Sequence, residues 1–332
     1  MRIGVIGAGA MGGMFGGRFA EAGQHVVLVD ANPDVVAAID GAGLRLSGVG
    51  GDRRIAVPAT TAPAGVDPVD LALITVDANH TRAAAETAAA LQGDDGVALT
   101  LQNGIGNVEA LVDVLGTECV IAGVTMHSCA VTAPGEVAHT NVGGIWFGEL
   151  DGRASDRVAA LKETFEVAGH DVTLVADPHG WIWSKFLLNC AINPLSAATG
   201  LRQGHIARVP ELDALQDRIV DECLAVVAAK GLTLADPDVR ATVKRTTFLK
   251  YNKPSMLQHV AAGRRTEIDA LNGALVRAAR ALGVPVPTNE AIVAVIKGIE
   301  RANALRAEGE DSVEALEAAA EAEARARGLF GG

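Results

Sequence analysis

A lysine and two asparagines follow one another at intervals of four residues in a mostly apolar stretch, residues 181–195. They are Lys185, Asn189 and Asn193. If the stretch is a helix, this spacing places the three polar side chains along one face. An ammonium group in apolar surroundings can polarise a substrate carbonyl and then donate a proton to it. The pattern is equally typical of an amphipathic helix whose lysine extends to water, so the spacing alone leaves both interpretations open.

Signals for a helix surround this stretch. Asp177 followed by Pro178 is typical of an N-cap with proline at the first helical position. Pro194 lies inside the pattern and predicts a kink or an end of regular hydrogen bonding. A second polar segment, residues 255–273, contains Glu267. Glu267 is a candidate counter-charge for the lysine, because an unpaired buried ammonium is costly.

The N-terminal residues form a different pattern. A short apolar strand, residues 2–6, leads into a glycine-rich segment and a helix-like stretch, and a second apolar strand ends at Asp30. Strand, glycine turn, helix and strand in this order are typical of dinucleotide-binding proteins, in which the helix N-terminus faces the pyrophosphate. The predicted cofactor-binding segment consists of Gly7, Ala8, Gly9, Ala10, Met11 and Gly12.

Asp30 favours NAD(H) over NADP(H) as the cofactor. A carboxylate at the end of the second strand accepts hydrogen bonds from the ribose hydroxyls of an adenosine, and it repels a 2′-phosphate. No arginine or lysine follows in residues 31–34 to compensate for that repulsion.

Alternating strand and helix patterns continue to about residue 175 and predict a parallel sheet covered by helices on both faces. Residues 44–47 and 54–57 are predicted as short strands, and residues 126–150 as β-rich. Beyond residue 177 the patterns are helical, with candidates at 178–198, 211–229, 237–249, 255–262, 266–282, 288–305 and 308–327. The predicted fold class is therefore α/β, an N-terminal Rossmann-type doubly wound sheet followed by an all-α C-terminal domain. The predicted domains are residues 1–176, which bind the dinucleotide, and residues 177–332, which bind substrate and form a dimer.

Composition limits the partners. The net charge of −12 argues against nucleic acid or an anionic membrane surface as a partner. Four widely spaced cysteines without a CxxC pair fit a reducing cytoplasm, and no metal-ligand spacing is visible. The sequence shows neither a signal peptide nor a membrane span. We therefore expect a cytoplasmic protein that binds a small molecule and no metal, and whose alanine-rich helices form either a homodimer face or the core of the second domain.

Four separated motifs together resemble the ketopantoate reductases (2-dehydropantoate 2-reductases). They are GAGAMG at 7–12, QNGIG at 102–106, WSKFLLNCAINPLSA at 183–197 and SMLQHVAAGRRTEIDALNG at 255–273, and GVPVPTN at 283–289 also fits. The resemblance covers nearly the whole chain. It implies an active site in the cleft between the two domains, where hydride from NAD(P)H reduces the ketone of a 2-oxo acid to a 2-hydroxy acid.

The resemblance also implies roles for single residues. Lys185 matches the catalytic lysine, which donates the proton, and Glu267 matches a glutamate that supports the cofactor and the lysine. Asn103 matches an asparagine that meets both nicotinamide and substrate. Cys129 matches a cofactor contact that need not depend on side-chain type. The further substrate-binding positions correspond to Asn189, Asn193, Ser255 and Gln203.

Three positions depart from the family pattern. Family members commonly have lysine where this chain has Asp77, and NADPH-dependent members often have a basic or neutral residue where it has Asp30. His259 stands where an aspartate is frequent. Ketopantoate is the default substrate, and NADP(H) is the alternative cofactor from the family. The competing hypotheses are an NAD-dependent D-2-hydroxyacid dehydrogenase acting on another acid, and a catalytically idle nucleotide-sensing homologue. The joint presence of Lys185, Asn189, Asn193 and Glu267 argues against the sensor.

Overall fold

The structure is a computed structural model, and it describes residues 1–308 and 313–328. Strands occupy the first half of the described chain: β1 (Arg2–Ile6), β2 (His25–Val29), β3 (Leu44–Gly48), β4 (Arg53–Ile55), β5 (Ala59–Thr60), β6 (Val69–Ile74), β7 (Gln92–Thr100), β8 (Val120–Thr125), β9 (Ser128–Ala133), β10 (Glu136–Asn141), β11 (Ile145–Glu149) and β12 (Val172–Leu174). The helices are α1 (Ala10–Glu21), α2 (Pro33–Ala42), α3 (Thr81–Leu91), α4 (Asn107–Leu115), α5 (Asp156–Val167), α6 (Pro178–Thr199), α7 (Gln203–Ile206), α8 (Pro210–Ala229), α9 (Val239–Leu249), α10 (Ser255–Ala261), α11 (Asn272–Leu282), α12 (Pro287–Glu308) and α13 (Val313–Ala326).

The main sheet has the order β12-β11-β8-β7-β6-β1-β2-β5. Its neighbours pair in parallel, except that β11 runs antiparallel to β8. The central strands are continuous apolar runs because helices cover both faces of the sheet. The predicted α/β class with a Rossmann-type sheet is thus confirmed, and the described chain beyond residue 177 is helical, as predicted.

A second sheet, in the order β4-β3-β10-β9, packs on α1. The sequence predicted its strands separately, but it did not indicate that β3 and β10 pair in parallel. Glycines on α1 allow the close approach: a Cβ on Gly13 would lie 2.8 Å from Val137 Cγ2, and one on Gly17 would lie 3.0 Å from side chains of the second sheet. This sheet thereby closes over the helix that begins at the glycine-rich segment.

The predicted helix 266–282 begins only at Asn272, which corrects the sequence interpretation. Residues 266–271 form turns, because tertiary contacts use their backbone groups. Thr266 N–H donates to Glu300 Oε1 (2.6 Å), and Ala270 C=O accepts from Ile105 N–H (3.3 Å). Local helix propensity is a weak term that such contacts can override. The short helix α7 was not predicted, and residues 309–312 of the predicted terminal helix lie outside the described residues.

α6 continues through Pro194 to Thr199, so the proline does not end the helix. Its N-terminus forms as predicted, since Asp177 Oδ1 accepts the Gly180 N–H at 2.9 Å. The first turns of α6 pack on the first half of the chain: the Trp181 ring stacks on Trp146 at a centroid distance of 4.6 Å, and Ile182 belongs to the core on one face of the main sheet. The remainder of α6 is the centre of the helical half, in contact with α8, α9, α10 and α12.

Candidate active site

The glycine-rich segment has the geometry that a pyrophosphate needs. Gly7 adopts φ +96°, and a Cβ there would lie 2.9 Å from Val76 Cγ1, while one on Gly12 would overlap Gly7 O at 1.8 Å. Gly9 differs, because a Cβ there would meet no protein atom within 4 Å. Gly9 is also the N-cap of α1 and provides no side-chain cap. The open space and the uncapped N–H groups together fit the phosphates of a dinucleotide.

Asp30 is fixed beside this segment by backbone donors. Its Oδ2 accepts the Ala8 N–H at 2.7 Å, and its Oδ1 accepts the Asn32 N–H at 2.9 Å. The carboxylate therefore stands at the end of β2, next to the predicted phosphate site, in the position expected for a group that binds ribose hydroxyls.

Four polar residues meet where the two halves of the chain touch, and we call them the Lys185 cluster: Lys185, Asn103, Asn189 and Glu267. Asn189 Nδ2 donates to Asn103 Oδ1 at 3.3 Å, and the Asn103 side chain lies close enough to Glu267 to lower the pKa of that carboxyl. Glu267 Oε1 accepts the Ala78 N–H at 3.0 Å, so a residue of the helical half is bound by the backbone of the sheet half. The structure thus brings together predicted site residues from three segments that lie far apart in sequence: Asn103, the Lys185–Asn189 turn of α6, and Glu267.

Burial shifts both charged members of the cluster towards neutrality. Burial lowers the pKa of Lys185 to about 8, and the attraction of Glu267 opposes this shift only in part. Burial, reinforced by the negative charge of Asp77, raises the pKa of Glu267 to about 7. The Ala78 N–H, Asn103 and Lys185 each lower this pKa, but by less than burial raises it. Two groups whose pKa values lie near neutrality can exchange protons with a ligand at physiological pH.

The remaining predicted substrate residues behave differently from one another. Asn193 lies on α6 and is buried, and Ser255 is the half-buried first residue of α10, which packs on α6. In the described part of the chain, neither side chain hydrogen-bonds to the Lys185 cluster. The Gln203 amide is buried and donates to Thr246 C=O at 3.0 Å, so the structure gives it a separate partner.

Cys129 lies on β9 and packs against the core beneath α1. Burial raises the pKa of its thiol to about 12, which keeps it protonated at neutral pH. Its predicted cofactor contact, which does not depend on an ionised side chain, is compatible with that state.

Within residues 75–79, sequence reasoning identified only Asp77 and missed the contacts of its neighbours. Thr75 Oγ1 donates to Gly7 O at 2.8 Å, and Val76 packs on Gly7, whereas Ala78 binds Glu267 and Asn79 Nδ2 donates to Thr266 O at 3.1 Å. This segment therefore connects the phosphate loop to the Lys185 cluster. Its position at the carboxyl end of β6 was the available signal, because ligands of parallel sheets bind at that edge.

Asp77 lies in the middle of this segment and is exposed. Its negative charge raises the pKa of Glu267 and opposes the downward shift that burial produces in the pKa of His259. The two positions that departed from the family pattern, Asp77 and His259, are thus electrostatic neighbours at the site.

The described residues contain no group of three or more His, Cys, Asp or Glu side chains arranged to hold a metal ion. Within residues 1–308 and 313–328, none of the helices combines the length and apolar character that crossing a bilayer requires.

A dinucleotide fold joined to a helical half, with an ammonium group at their junction, defines an oxidoreductase that binds NAD(P). The sequence matches the family "Ketopantoate reductase PanE/ApbA" over residues 3–152 and its C-terminal counterpart over residues 177–300. The chain belongs to the ketopantoate reductase family. Members of this family reduce 2-oxo acids with NAD(P)H, and this chain is an enzyme of that type.

Individual relatives align with this chain over almost their whole length. The chain is 31% identical to the 2-dehydropantoate 2-reductase of Halobacterium salinarum and 32% identical to that of Archaeoglobus fulgidus, covering 99% and 98% of those proteins and 91% and 90% of this chain. The crystal structure of a PanE/ApbA family ketopantoate reductase from Ralstonia eutropha JMP134 superposes with a TM-score of 0.85 at 34% identity, covering 91% of this chain and 99% of that one. The ternary structure of D-mandelate dehydrogenase with NADH and anilino(oxo)acetate also gives a TM-score of 0.85, at 25% identity and with the same coverage.

Proposed function

We propose that the protein reduces the ketone of ketopantoate, or of a closely similar 2-oxo acid, with Lys185 as the proton donor and NADH as the preferred cofactor. The observation that carries this proposal is the Lys185 cluster, which lies at the junction of the two halves and is connected to the phosphate loop through residues 75–79. A catalytically idle sensor would not require this set of proton-transfer groups.

The residues of the cluster fit the charge changes of ketone reduction. The bound nicotinamide supplies the hydride, and the carbonyl oxygen then becomes an alkoxide. The Lys185 ammonium makes no hydrogen bond to any described residue, so it is available to polarise that oxygen and protonate it. The proposed roles of Asn189, Asn193 and Ser255 are to bind the substrate carboxylate and hydroxyl groups without adding charge, while Asn103 lies between substrate and nicotinamide.

The substrate assignment is tested with purified enzyme and a panel of acids. Ketopantoate, pyruvate, 4-methyl-2-oxopentanoate and benzoylformate are each offered with NADH and with NADPH, and loss of reduced nicotinamide absorbance is followed. Turnover of ketopantoate with the highest kcat/KM of the panel supports the proposal. Turnover of another acid alone excludes ketopantoate as the substrate, and the absence of turnover with every acid excludes reduction of these 2-oxo acids altogether.

The second candidate is an NAD-dependent D-2-hydroxyacid dehydrogenase that acts on a different acid. Two observations favour it: an acidic Asp77 stands at the site where the family commonly has lysine, and a D-mandelate dehydrogenase with NADH is among the structural neighbours. A preference for benzoylformate over ketopantoate in the same panel would select this candidate.

Asp30 supports the preference for NADH. Replacing Asp30 by alanine should weaken NADH use and reduce the NADH-to-NADPH ratio of kcat/KM by about 10- to 100-fold, because the variant loses hydrogen bonds between a carboxylate and ribose hydroxyls and no longer repels a 2′-phosphate. Steady-state kinetics with both cofactors measures the ratio. Asp34→Ala, at an exposed carboxylate on α2, is the matched control and should leave it unchanged. A parent enzyme that prefers NADPH would contradict this proposal.

The pKa of Lys185, about 8, predicts an alkaline limit for the reduction. The reaction needs the ammonium form, so kcat/KM for the 2-oxo acid should fall about tenfold per pH unit above that value. Oxidation of the hydroxy acid needs the neutral amine and should instead increase through the same range. The two pH profiles measure this effect, with Lys162→Ala on α5 as control. A reduction rate that stays constant to pH 10 would exclude Lys185 as the donor.

We also propose a homodimer formed through the helical half and a cytoplasmic location. The described cysteines are all free thiols, which fits a reducing compartment. Sedimentation velocity tests the dimer, and a single species with the mass of one chain at micromolar concentration would reject it.

A further inference from the structure

Pro194 leaves a carbonyl of α6 without its helical donor. A proline has no N–H, so residue 194 cannot donate to Cys190 C=O four residues earlier, and its ring also presses on that carbonyl. Cys190 is fully buried, so water cannot compensate for the missing donor. A buried carbonyl of this kind needs a hydrogen bond from elsewhere in the molecule.

Asn272, the first residue of α11, provides this bond. Its Nδ2 donates to Cys190 O at 3.1 Å and to Asn289 Oδ1 at 2.9 Å. The orientation of both amides follows from Glu222, whose carboxylate can only accept: Asn289 Nδ2 donates to Glu222 Oε2 at 2.7 Å. Asn289 Oδ1 must therefore face Asn272, and Asn272 must present its NH2 group to Cys190.

The carbonyl that Asn272 binds lies between the two asparagines of α6 in sequence. Cys190 directly follows Asn189, and Asn193 directly precedes Pro194. A proline in a helix interior bends the helix at the turn before it, which here is the turn between these two asparagines. Whatever fixes that carbonyl therefore also fixes how Asn189 and Asn193 are oriented relative to each other.

We propose that Asn272 is a positioning residue of the reaction, which holds the proline-interrupted turn of α6 so that Asn189 and Asn193 face the substrate together. The role of those two asparagines rests on the proposed function. Asn272 does not touch the substrate in this proposal and acts only through α6. Its side chain is fully buried, and its own Oδ1 has no partner in the described chain, so the donor group alone accounts for a polar residue here.

Gln216 on α8 provides a matched comparison. Its Nε2 donates to the next carbonyl of α6, Ala191 O, at 3.2 Å, and also to Thr247 Oγ1 at 3.0 Å. The helical donor for Ala191 is the N–H of Leu195, which is not a proline. Loss of the Gln216 bond should therefore depend less on Pro194 than loss of the Asn272 bond, although the buried environment and the helix are the same.

The test is a double-mutant cycle of Asn272→Ala and Pro194→Ala. Alanine at position 194 restores the missing N–H, so Asn272 should become largely dispensable in that background. We expect Asn272→Ala to raise KM for the 2-oxo acid by about 10- to 100-fold with Pro194 present and by less than about threefold with alanine there, while the Kd for NADH stays within about twofold of the parent. Gln216→Ala should have the same effect in both backgrounds.

Each outcome of the cycle is informative. Equal effects of Asn272→Ala in the two backgrounds, or no effect on KM in either, overturn the positioning role. If Asn272→Ala fails to fold, the double variant Pro194→Ala/Asn272→Ala decides. A folded and active double variant supports the proposal, and an unfolded double variant overturns it. Urea unfolding of the four proteins measures the Pro194–Asn272 coupling without substrate. If the parent enzyme reduces no 2-oxo acid, the proposed function is rejected and the positioning role with it. If the parent is active but the KM values of the variants show no Pro194–Asn272 coupling, only the positioning role is rejected.

Discussion

Replacing Lys185 by alanine should lower kcat for the 2-oxo acid by about three orders of magnitude, while cofactor affinity changes little. The loss combines two effects, because the alkoxide loses both its proton donor and the positive charge that stabilises it. Each effect alone is worth about 100-fold or more, and the two do not multiply in full because one ammonium group supplies both. The fold should persist, since the ammonium is costly to bury and its removal relieves that cost.

Single-turnover kinetics measures the chemical step of this variant, and nicotinamide fluorescence measures NADH binding. Lys162→Ala is the control, because that lysine pairs with Glu166 on the surface of α5, away from the Lys185 cluster. Addition of a small primary amine should restore part of the activity of Lys185→Ala by supplying an ammonium at the vacated position. An alanine variant that turns over at the parent rate would refute the assigned mechanism.

Acid should destabilise the folded protein steeply below pH 6.5, because three histidines are buried beneath α1. His127 Nδ1 lies 3.0 Å from His139 Nε2, and His170 Nδ1 lies 3.3 Å from His127 Nε2. The side chain of Phe15 packs against His127 and His170. Burial lowers all three pKa values, that of His127 to about 4 and that of His170 to about 3, and the positive charge of Arg18 contributes.

The sign of the effect follows from proton binding. Below pH 6.5 the unfolded chain binds protons at these histidines more readily than the folded chain does, because burial lowers all three pKa values in the folded state. The free energy of unfolding therefore falls as the pH falls. Near pH 5.5 His127 and His170 each contribute a slope of about 1.4 kcal/mol per pH unit, so together they approach about 3 kcal/mol per unit, and His139 adds to the slope in the same direction. That is a large fraction of the stability of an ordinary domain.

Urea unfolding at several pH values measures this slope. His170→Gln should reduce it by about 1.4 kcal/mol per pH unit, since glutamine does not titrate there. His25→Gln is the matched control, because His25 is exposed and should leave the slope unchanged. A free energy of unfolding that is constant between pH 7 and pH 5 would contradict the neutral, buried state of the three histidines.

Much of the fold follows from local sequence patterns. The glycine-rich segment, the apolar strands and the caps of α6 depend on residues close together in sequence, so periodicity and turn chemistry predict them. The start of α11 cannot be predicted in this way. Residues 266–271 form hydrogen bonds with Glu300 and Ile105 instead of helical ones, and those partners are distant in sequence. The pairing of β3 with β10 across more than eighty residues has the same explanation.

The site was predictable as a set of residues and only partly as a geometry. The family motifs identify Lys185, Asn189 and Glu267, and the structure joins them through Asn103. The motifs do not indicate that Ala78 binds Glu267 with its backbone N–H, since a backbone donor leaves no trace in residue type. The role of Asn272 at Cys190 also becomes visible only when two distant helices are brought together.

The packing of Trp181 and Ile182 has a consequence for how the chain matures on the ribosome. These residues lie beyond the strands of the first half, yet they complete one face of its core. During synthesis the core of the sheet half therefore remains incomplete, with an uncovered apolar surface near Trp146, until the first turns of α6 have left the ribosomal exit tunnel. For the same reason, the two fragments obtained by dividing the chain at residue 177 should fold poorly when each is alone and should regain structure when they are mixed.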